Sequence, residues 1–485
     1  MARAGQSAMR IARPAVRCGS QWCLVRLTNP SLTPLDPTGT SALIHRRAFR
    51  LLLAFVCARM CLLVIPFLHP EGGVLIDSGG YLGLARLLVS AGNYVHPSGQ
   101  DLIWPPGYPL LVAAASLWQE PSPFAVAALQ LLLTGGLALV LVWIGSRLGG
   151  QRAGLAAGWL YAISPNAAFW SMTVMSETAF AVMLVFGVVA FVRWLDSPRL
   201  ARALAIGLML GSASLIRPAG SLLLILWALM VFLADRRTHG GRLAAGSAVL
   251  VLAGGMVILV PWMMRNKIVR GEWVFSSVAS KTFYGYNVAS VLAEARGIPR
   301  NEAVLEIGAT GDEWGDSLRV LTAYPGIFLS QQWEGVLRTS IGVESGVWAR
   351  QLGLSHEYQG SFGVLSALRA GRPGEAFEKV REQLSSPATA PHALLFLLGA
   401  GYTLALYGIL GAALLHAGHW PPSARRVAVL ALITVAYIVL VPGAAGQARF
   451  RVSVEPLLAL GAAFYWARAG DSSTEASVVA AGTAG

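Results

Sequence analysis

Ten apolar runs dominate this chain, most of them close to the roughly 20 residues that cross about 30 Å of hydrocarbon. They fall near 48–68, 124–146, 153–171, 175–194, 202–217, 219–234, 243–264, 391–415, 427–442 and 453–467. Backbone that enters lipid must satisfy its hydrogen bonds internally, and runs of this length do so as helices. The expected fold class is therefore all-α: a polytopic membrane bundle of about ten transmembrane helices. Composition agrees, because 55% of the residues are hydrophobic and only 13% charged, against roughly a quarter charged in soluble proteins.

Charge orients the bundle. Alternating the runs puts Arg46, Arg47, Arg50, Arg147, Arg152, Arg193, Arg199, Arg202, Arg236, Arg237, Arg242, Arg425, Arg426 and Arg468 on one face, which the positive-inside rule makes cytoplasmic. The first fifty residues hold eight Arg against the single acid Asp36. With their Pro, Ser and Thr and no apolar period, residues 1–45 read as a disordered basic cytoplasmic arm, a membrane anchor and no nucleic-acid site. No signal-peptide cleavage pattern precedes the first run. The expected organisation continues with a membrane domain at 46–264 whose first outer loop is 69–123, and an extracytoplasmic domain at 265–390. C-terminal helices at 391–468 and a disordered tail at 469–485 complete it. The 265–390 stretch carries 13 acidic and 13 basic residues and no cysteine, and should be mainly helical with a break at Pro325. Both termini should be cytoplasmic.

Within the outer loop, PLLVAAASLW (109–118) is too short to span. YLGLARLLVSAGNY before it has Gly83, Arg86, Ser90 and Asn93 on one stripe, the pattern of a helix lying on the membrane surface. Pro105-Pro106-Gly107 should fix the loop against the bundle. Cys57 and Cys61, four apart on the first run, read as buried thiols. Trp118, Trp170 and Trp262 read as interfacial aromatics.

The outer ends collect the unusual polar residues: Asp77 and Tyr81, Tyr108, Glu177, Arg217, Arg265 with Asn266, and Arg449 with Arg451. The arginines stand where the positive-inside trend disfavours them, so the outer face has a use for cations. Guanidinium forks suit a lipid phosphate whose tail stays in the bilayer. A carboxylate can take the proton of an acceptor hydroxyl as it attacks a sugar carbon, while the arginines stabilise the departing phosphate. Asp77 and Glu177 are the catalytic candidates, Arg217, Arg265, Arg449 and Arg451 the donor-phosphate ligands, and Tyr81, Tyr108 and Asn266 the substrate-loop residues. Asp77 and Glu177 also sit where helix caps would, Asp77 before the surface helix and Glu177 at the start of the fourth run.

The segments DSGGYLGLARLLVSAGNY, PPGYPLLVA, SPNAAFWSMTVMSETAF, LIRPAG, PWMMRNKIVRGEWVFSS and ARFRVSVEPLLAL, in that order, resemble membrane glycosyltransferases of the GT-C fold. The resemblance is narrower to the family-39-like branch, which includes dolichyl-phosphate-mannose protein mannosyltransferases and the aminoarabinose transferase of lipid A. It implies a polyprenyl-phosphate sugar donor, a catalytic base at Asp77 and a phosphate pocket from the four arginines. The protein mannosyltransferases carry an Asp-Glu pair in this loop. Here Ser78 follows Asp77, a departure that weighs against a protein acceptor, and the expected acceptor is a hydroxyl of an envelope glycan, a lipid or a protein. Some relatives use a divalent metal, but no cofactor is required by these residues and no carboxylate and histidine cluster supports a metal. The alternative is a polytopic transporter or a lipid or oligosaccharide flippase, which calls for ionisable residues at mid-membrane depth on a path to both faces.

Overall fold

The computed structural model describes residues 16–18, 21–23, 40–236, 240–308, 312–354, 367, 371–387 and 389–468. The expected tail at 469–485, Arg237 and most of the basic arm lie outside them. The chain divides into two units, Met1–Arg47 and Ala48–Gly485. In the first, β1 (Val16–Cys18) pairs antiparallel with β2 (Gln21–Cys23).

The second unit is helical. α1 (Thr40–Ala58), which begins before the boundary, passes through a tight turn at Arg59–Leu63 into α2 (Val64–Leu68). Residues 69–123 hold α3 (Ile76–Ala91), α4 (Gln100–Ile103) and α5 (Gly107–Ala115). Then come α6 (Pro123–Ala162), α7 (Pro165–Ser171), α8 (Glu177–Asp196), α9 (Leu200–Ile216), α10 (Gly220–Asp235) and α11 (Gly241–Arg270). Among the described residues six helices are long and apolar enough to cross a membrane, and α9 and α10 are shorter apolar helices. The chain is a membrane protein.

α6 is two antiparallel helices. Gly150 at φ 85° and ψ 171° turns the chain back on itself, a backbone state that only Gly adopts freely. The second arm stops at Ala162, and Ser164 caps the separate α7 through the Ala167 amide at 3.0 Å, so the expected run 153–171 is broken. α8 occupies the centre: 67% of its apolar window is buried, against 17% for the first span. Small residues let α9 and α11 approach closely, since a Cβ at Gly254 would meet the Leu204 carbonyl oxygen at 2.6 Å.

α11 runs to Arg270 rather than ending at 264, so Arg265 and Asn266 lie in its last two turns. Beyond it come α12 (Val278–Thr282), α13 (Ala289–Arg296), α14 (Arg300–Gly308), α15 (Glu313–Ala323), α16 (Pro325–Ile341), α17 (Ser345–Gln351) and α18 (Pro373–Ser385). The break at Pro325 is where the sequence puts it. α19 (Ala390–Leu415), α20 (Pro422–Leu440), α21 (Ala448–Val452) and α22 (Glu455–Ala463) close the chain.

Two smaller expectations are corrected. Cys57 and Cys61 are exposed on the bundle surface, because among the described residues no helix covers their face of the first span. Trp170 and Trp262 are buried at 2% and 8% exposure. Trp262 faces inward because its ring nitrogen donates to the Phe275 carbonyl at 2.9 Å.

Candidate functional site

The site begins with the way α3 starts. Ser78 accepts from the Leu75 amide at 2.9 Å and donates to the Val174 carbonyl at 2.9 Å. The Val174 amide in turn donates to the Gly73 carbonyl. Ser78, and not Asp77, therefore closes the helix start, and the same hydroxyl ties α3 to the strand of chain leading into α8. One turn along, Tyr81 packs edge-on to Tyr108 at 4.7 Å and against Trp104 at 5.3 Å. Its hydroxyl lies 3.4 Å from the Ser176 hydroxyl. Tyr108 donates to Gln130 at 3.3 Å, and the Gln130 amide donates to the carbonyls of Ser171 and Thr173. These aromatic and amide contacts hold Thr173–Glu177 beside the first turn of α3.

Asp77 and Glu177 consequently share one arginine, Arg449. Glu177, 1% exposed at the N-terminus of α8, lies 2.6 Å from Arg217 and 3.8 Å from Nε of Arg449. Arg449 Nη1 donates to Asp77 Oδ2 at 3.0 Å. Both guanidiniums lie near the Phe450 ring, at 4.7 Å for Arg217 and 5.2 Å for Arg449. Side-chain exposure rises from 1% at Glu177 through 15% and 19% at Arg449 and Arg217 to 37% at Asp77. Asp77 is thus the acid a solvent-borne molecule reaches first. Burial pushes the Tyr81 phenol up to about 12, with the Glu177 charge adding to it, so Tyr81 stays neutral.

A third carboxyl escaped the sequence reading. The Arg449 amide donates to Glu344 Oε1 at 3.4 Å. Burial pushes the Glu344 carboxyl up, and Arg449 only partly opposes this. Nothing local marks Glu344 among the acids of the 265–390 stretch, since it reaches the site only through the packing of α16 against α21.

Arg265, Asn266 and Arg451 lie elsewhere. Arg265 donates to Asp101 Oδ2 at 2.9 Å and to the Tyr94 carbonyl. Arg270 grips both Asp101 oxygens, and the His96 amide donates to Oδ1 at 3.1 Å. Burial pushes the fully buried Asp101 up, but the hydrogen bonds from Arg270 and Arg265 outweigh it and hold the carboxyl below its ordinary value. Asn266 donates to the Val274 carbonyl at 2.9 Å. This second cluster clamps α4 and the loop around it to the end of α11. Arg451 is 1% exposed and donates to the carbonyls of Ser340 and Gly342 and to Thr403, joining α21 to α16 and α19. The structure brings together Asp77, Glu177, Arg217, Arg449 and Tyr81, with Tyr108 behind them.

Two buried charges were also missed. Arg59, 6% exposed in the first span, donates to the Ala162 carbonyl at 3.1 Å. Glu455, fully buried, accepts from Ser164. Both sit at the α6–α7 junction, near the end of the bundle that holds Glu177. Among the described residues no group of three or more His, Cys, Asp or Glu is placed to hold a metal ion.

No family model matches the chain, and no curated protein does. Among solved structures it is similar to the archaeal oligosaccharyltransferase AglB from Archaeoglobus fulgidus in complex with an inhibitory peptide and a dolichol-phosphate. That match has 15% identity and a TM-score of 0.46, covering 85% of this chain and 50% of that one. The chain thus spans about half the length of that protein. It is also similar to ArnT from Cupriavidus metallidurans bound to undecaprenyl phosphate, at 17% identity and a TM-score of 0.39, covering 85% of this chain and 77% of that one. The apo state of the same ArnT matches at 18% identity and a TM-score of 0.37, over 87% and 76% of the two chains.

Proposed function

We propose that this chain is a membrane glycosyltransferase of the GT-C type, moving a sugar from a polyprenyl-phosphate donor to a hydroxyl of an envelope glycan or lipid on the outer face. The observation that carries this reading is the sharing of Arg449 by a half-exposed acid, Asp77, and a buried one, Glu177, with Arg217 alongside. Two guanidiniums over an aromatic ring suit a phosphate ester. Glu177 is too buried to meet an acceptor, and its role is to hold both arginines in place. A donor phosphate that draws Arg449 onto itself frees Asp77 Oδ2.

The acceptor hydroxyl then gives its proton to Asp77, and its oxygen bonds to the anomeric carbon from the side opposite the phosphate. The bond from that carbon to the phosphate oxygen breaks, its electron pair leaving with the polyprenyl phosphate, whose charge Arg217 and Arg449 stabilise. The sugar inverts. Tyr81, with the buried Tyr108 packed behind it, holds the first turn of α3 and so positions Asp77.

The test is a deletion strain analysed by mass spectrometry of envelope glycans and prenyl-phosphate sugars, then complemented with wild type or Asp77→Asn. One prenyl-phosphate sugar should accumulate and one glycoconjugate should vanish. Wild type should restore the product, and Asp77→Asn at equal membrane abundance should not. Restoration by Asp77→Asn removes Asp77 as base, and unchanged prenyl-phosphate sugars in the deletion strain remove the transferase reading.

A further inference from the structure

A groove of about 700 Å³ opens between α6, α8 and α9 at the end of the bundle opposite the candidate site. Glu177 and Arg193 are 16 residues apart on α8, about 24 Å along its axis, so this groove is separate from the Asp77 cluster. Its walls are apolar, with Trp143, Phe186 and Met209 among them, and its rim is charged, with Arg193, Arg202 and Asp196. Phe186 lies seven residues before Arg193 on α8, and Met209 seven after Arg202 on α9. Both walls therefore descend about 10 Å from the rim, side by side on neighbouring antiparallel helices.

The rim favours an anion. Arg202 Nη1 donates to the carbonyls of Arg193 and Ser197, which fixes its guanidinium at the α8–α9 turn. The Arg193 guanidinium lies 5.7 Å from the Trp143 ring. Among the described residues neither has a carboxylate within ion-pair distance. Asp196, the one acid of the rim, is engaged by Arg147 at 3.0 Å. Two arginines without a carboxylate partner thus stand above an apolar slot whose one acid is already paired, the form of a site for an anionic headgroup with attached acyl chains.

We propose that this groove binds an anionic glycerophospholipid of the leaflet opposite the candidate active site. Its phosphate meets Arg193 and Arg202, and an acyl chain lies along Trp143, Phe186 and Met209. The inference is independent of the transferase reading, and its test measures no transfer.

The full-length protein, purified in detergent, is titrated with phosphatidylglycerol, phosphatidylethanolamine or inorganic phosphate, and lipid retention is read by native mass spectrometry alongside the thermal shift. Phosphatidylglycerol should be retained and should raise the Tm, and the other two should not. Arg193→Gln and Arg202→Gln should each weaken phosphatidylglycerol retention about five-fold, the equivalent of about 1 kcal/mol per arginine near an anionic lipid. Asp196→Asn should strengthen retention, a gain that misfolding cannot mimic, and Met209→Trp should block the slot. Equal retention of phosphatidylethanolamine overturns the proposal, as does an equal thermal shift from inorganic phosphate or unchanged retention in both arginine variants.

Discussion

Replacing Asp101 by Asn separates two roles for Arg265, a ligand of the proposed donor phosphate or a bolt that holds the 69–123 segment. Asp101 is 0% exposed and lies 2.9 Å from Arg265, with Arg270 on its other oxygen. At 2.9 Å and an effective dielectric of about 20, each pair is worth about 6 kcal/mol gross. Desolvating the carboxylate offsets several kcal/mol of that. The arginines are 21% and 22% exposed, so water takes over part of their partnership when the acid is removed. The low end of the range for breaking a buried pair applies, and Asp101→Asn should cost about 3 kcal/mol.

Arg265→Gln, which leaves Arg270 in place, should cost about 1.5–3 kcal/mol. In the Asp101→Asn background it should cost almost nothing, giving a coupling of roughly 1.5–3 kcal/mol. Unfolding of the purified protein in nanodiscs reads all four corners of the cycle, as an unfolding rate where the transition is irreversible. The folded-state value of the Asp101 carboxyl lies below its unfolded one. Its stabilisation is therefore complete above the ordinary value near 4 and is lost as pH falls from there through the folded value, so wild type and Asp101→Asn should converge in strong acid. Additive single variants would refute the clamp. A raised donor KM with unchanged stability in Arg265→Gln would return that residue to the donor site.

Three further outcomes follow from the same geometry. Glu344→Gln should raise the Tm at neutral pH, because burial holds the folded carboxyl above its ordinary value. The cost of charging it is absent below the unfolded value near 4.3 and complete above the folded one, so the gain should disappear in acid in a pH series of melts. Arg451→Gln strips the donor from two carbonyls and Thr403 inside the bundle and should cost about 3 kcal/mol while leaving the donor KM unchanged. Gly107→Ala would bring a Cβ to 2.6 Å from the Leu215 carbonyl carbon, two residues before Arg217. It should cost about 1–3 kcal/mol in stability and raise the donor KM as the end of α9 shifts.

The class of this protein was legible in its hydropathy because membrane crossing is a local property: a run of apolar residues carries its own backbone hydrogen bonds, whatever packs beside it. The α15–α16 break at Pro325 and the separation of Arg147, Arg193 and Arg202 from Asp77, Glu177 and Arg217 were equally readable, since helix length and alternation set which ends lie together. Partner choice was not. Asp77 and Arg449 are 372 residues apart, and their meeting depends on Ser78 binding the chain before α8 and on Phe450 lying by both guanidiniums. Arg265 and Arg449 both look like outer arginines in sequence, yet one reaches Asp101 and the other stands between Asp77 and Glu177. Glu344 carries no local sign of its place at all. Charge and hydropathy sort residues to an end of the bundle, but an ion pair is decided within a few ångströms, and only the packing of helices distant in sequence determines positions that finely.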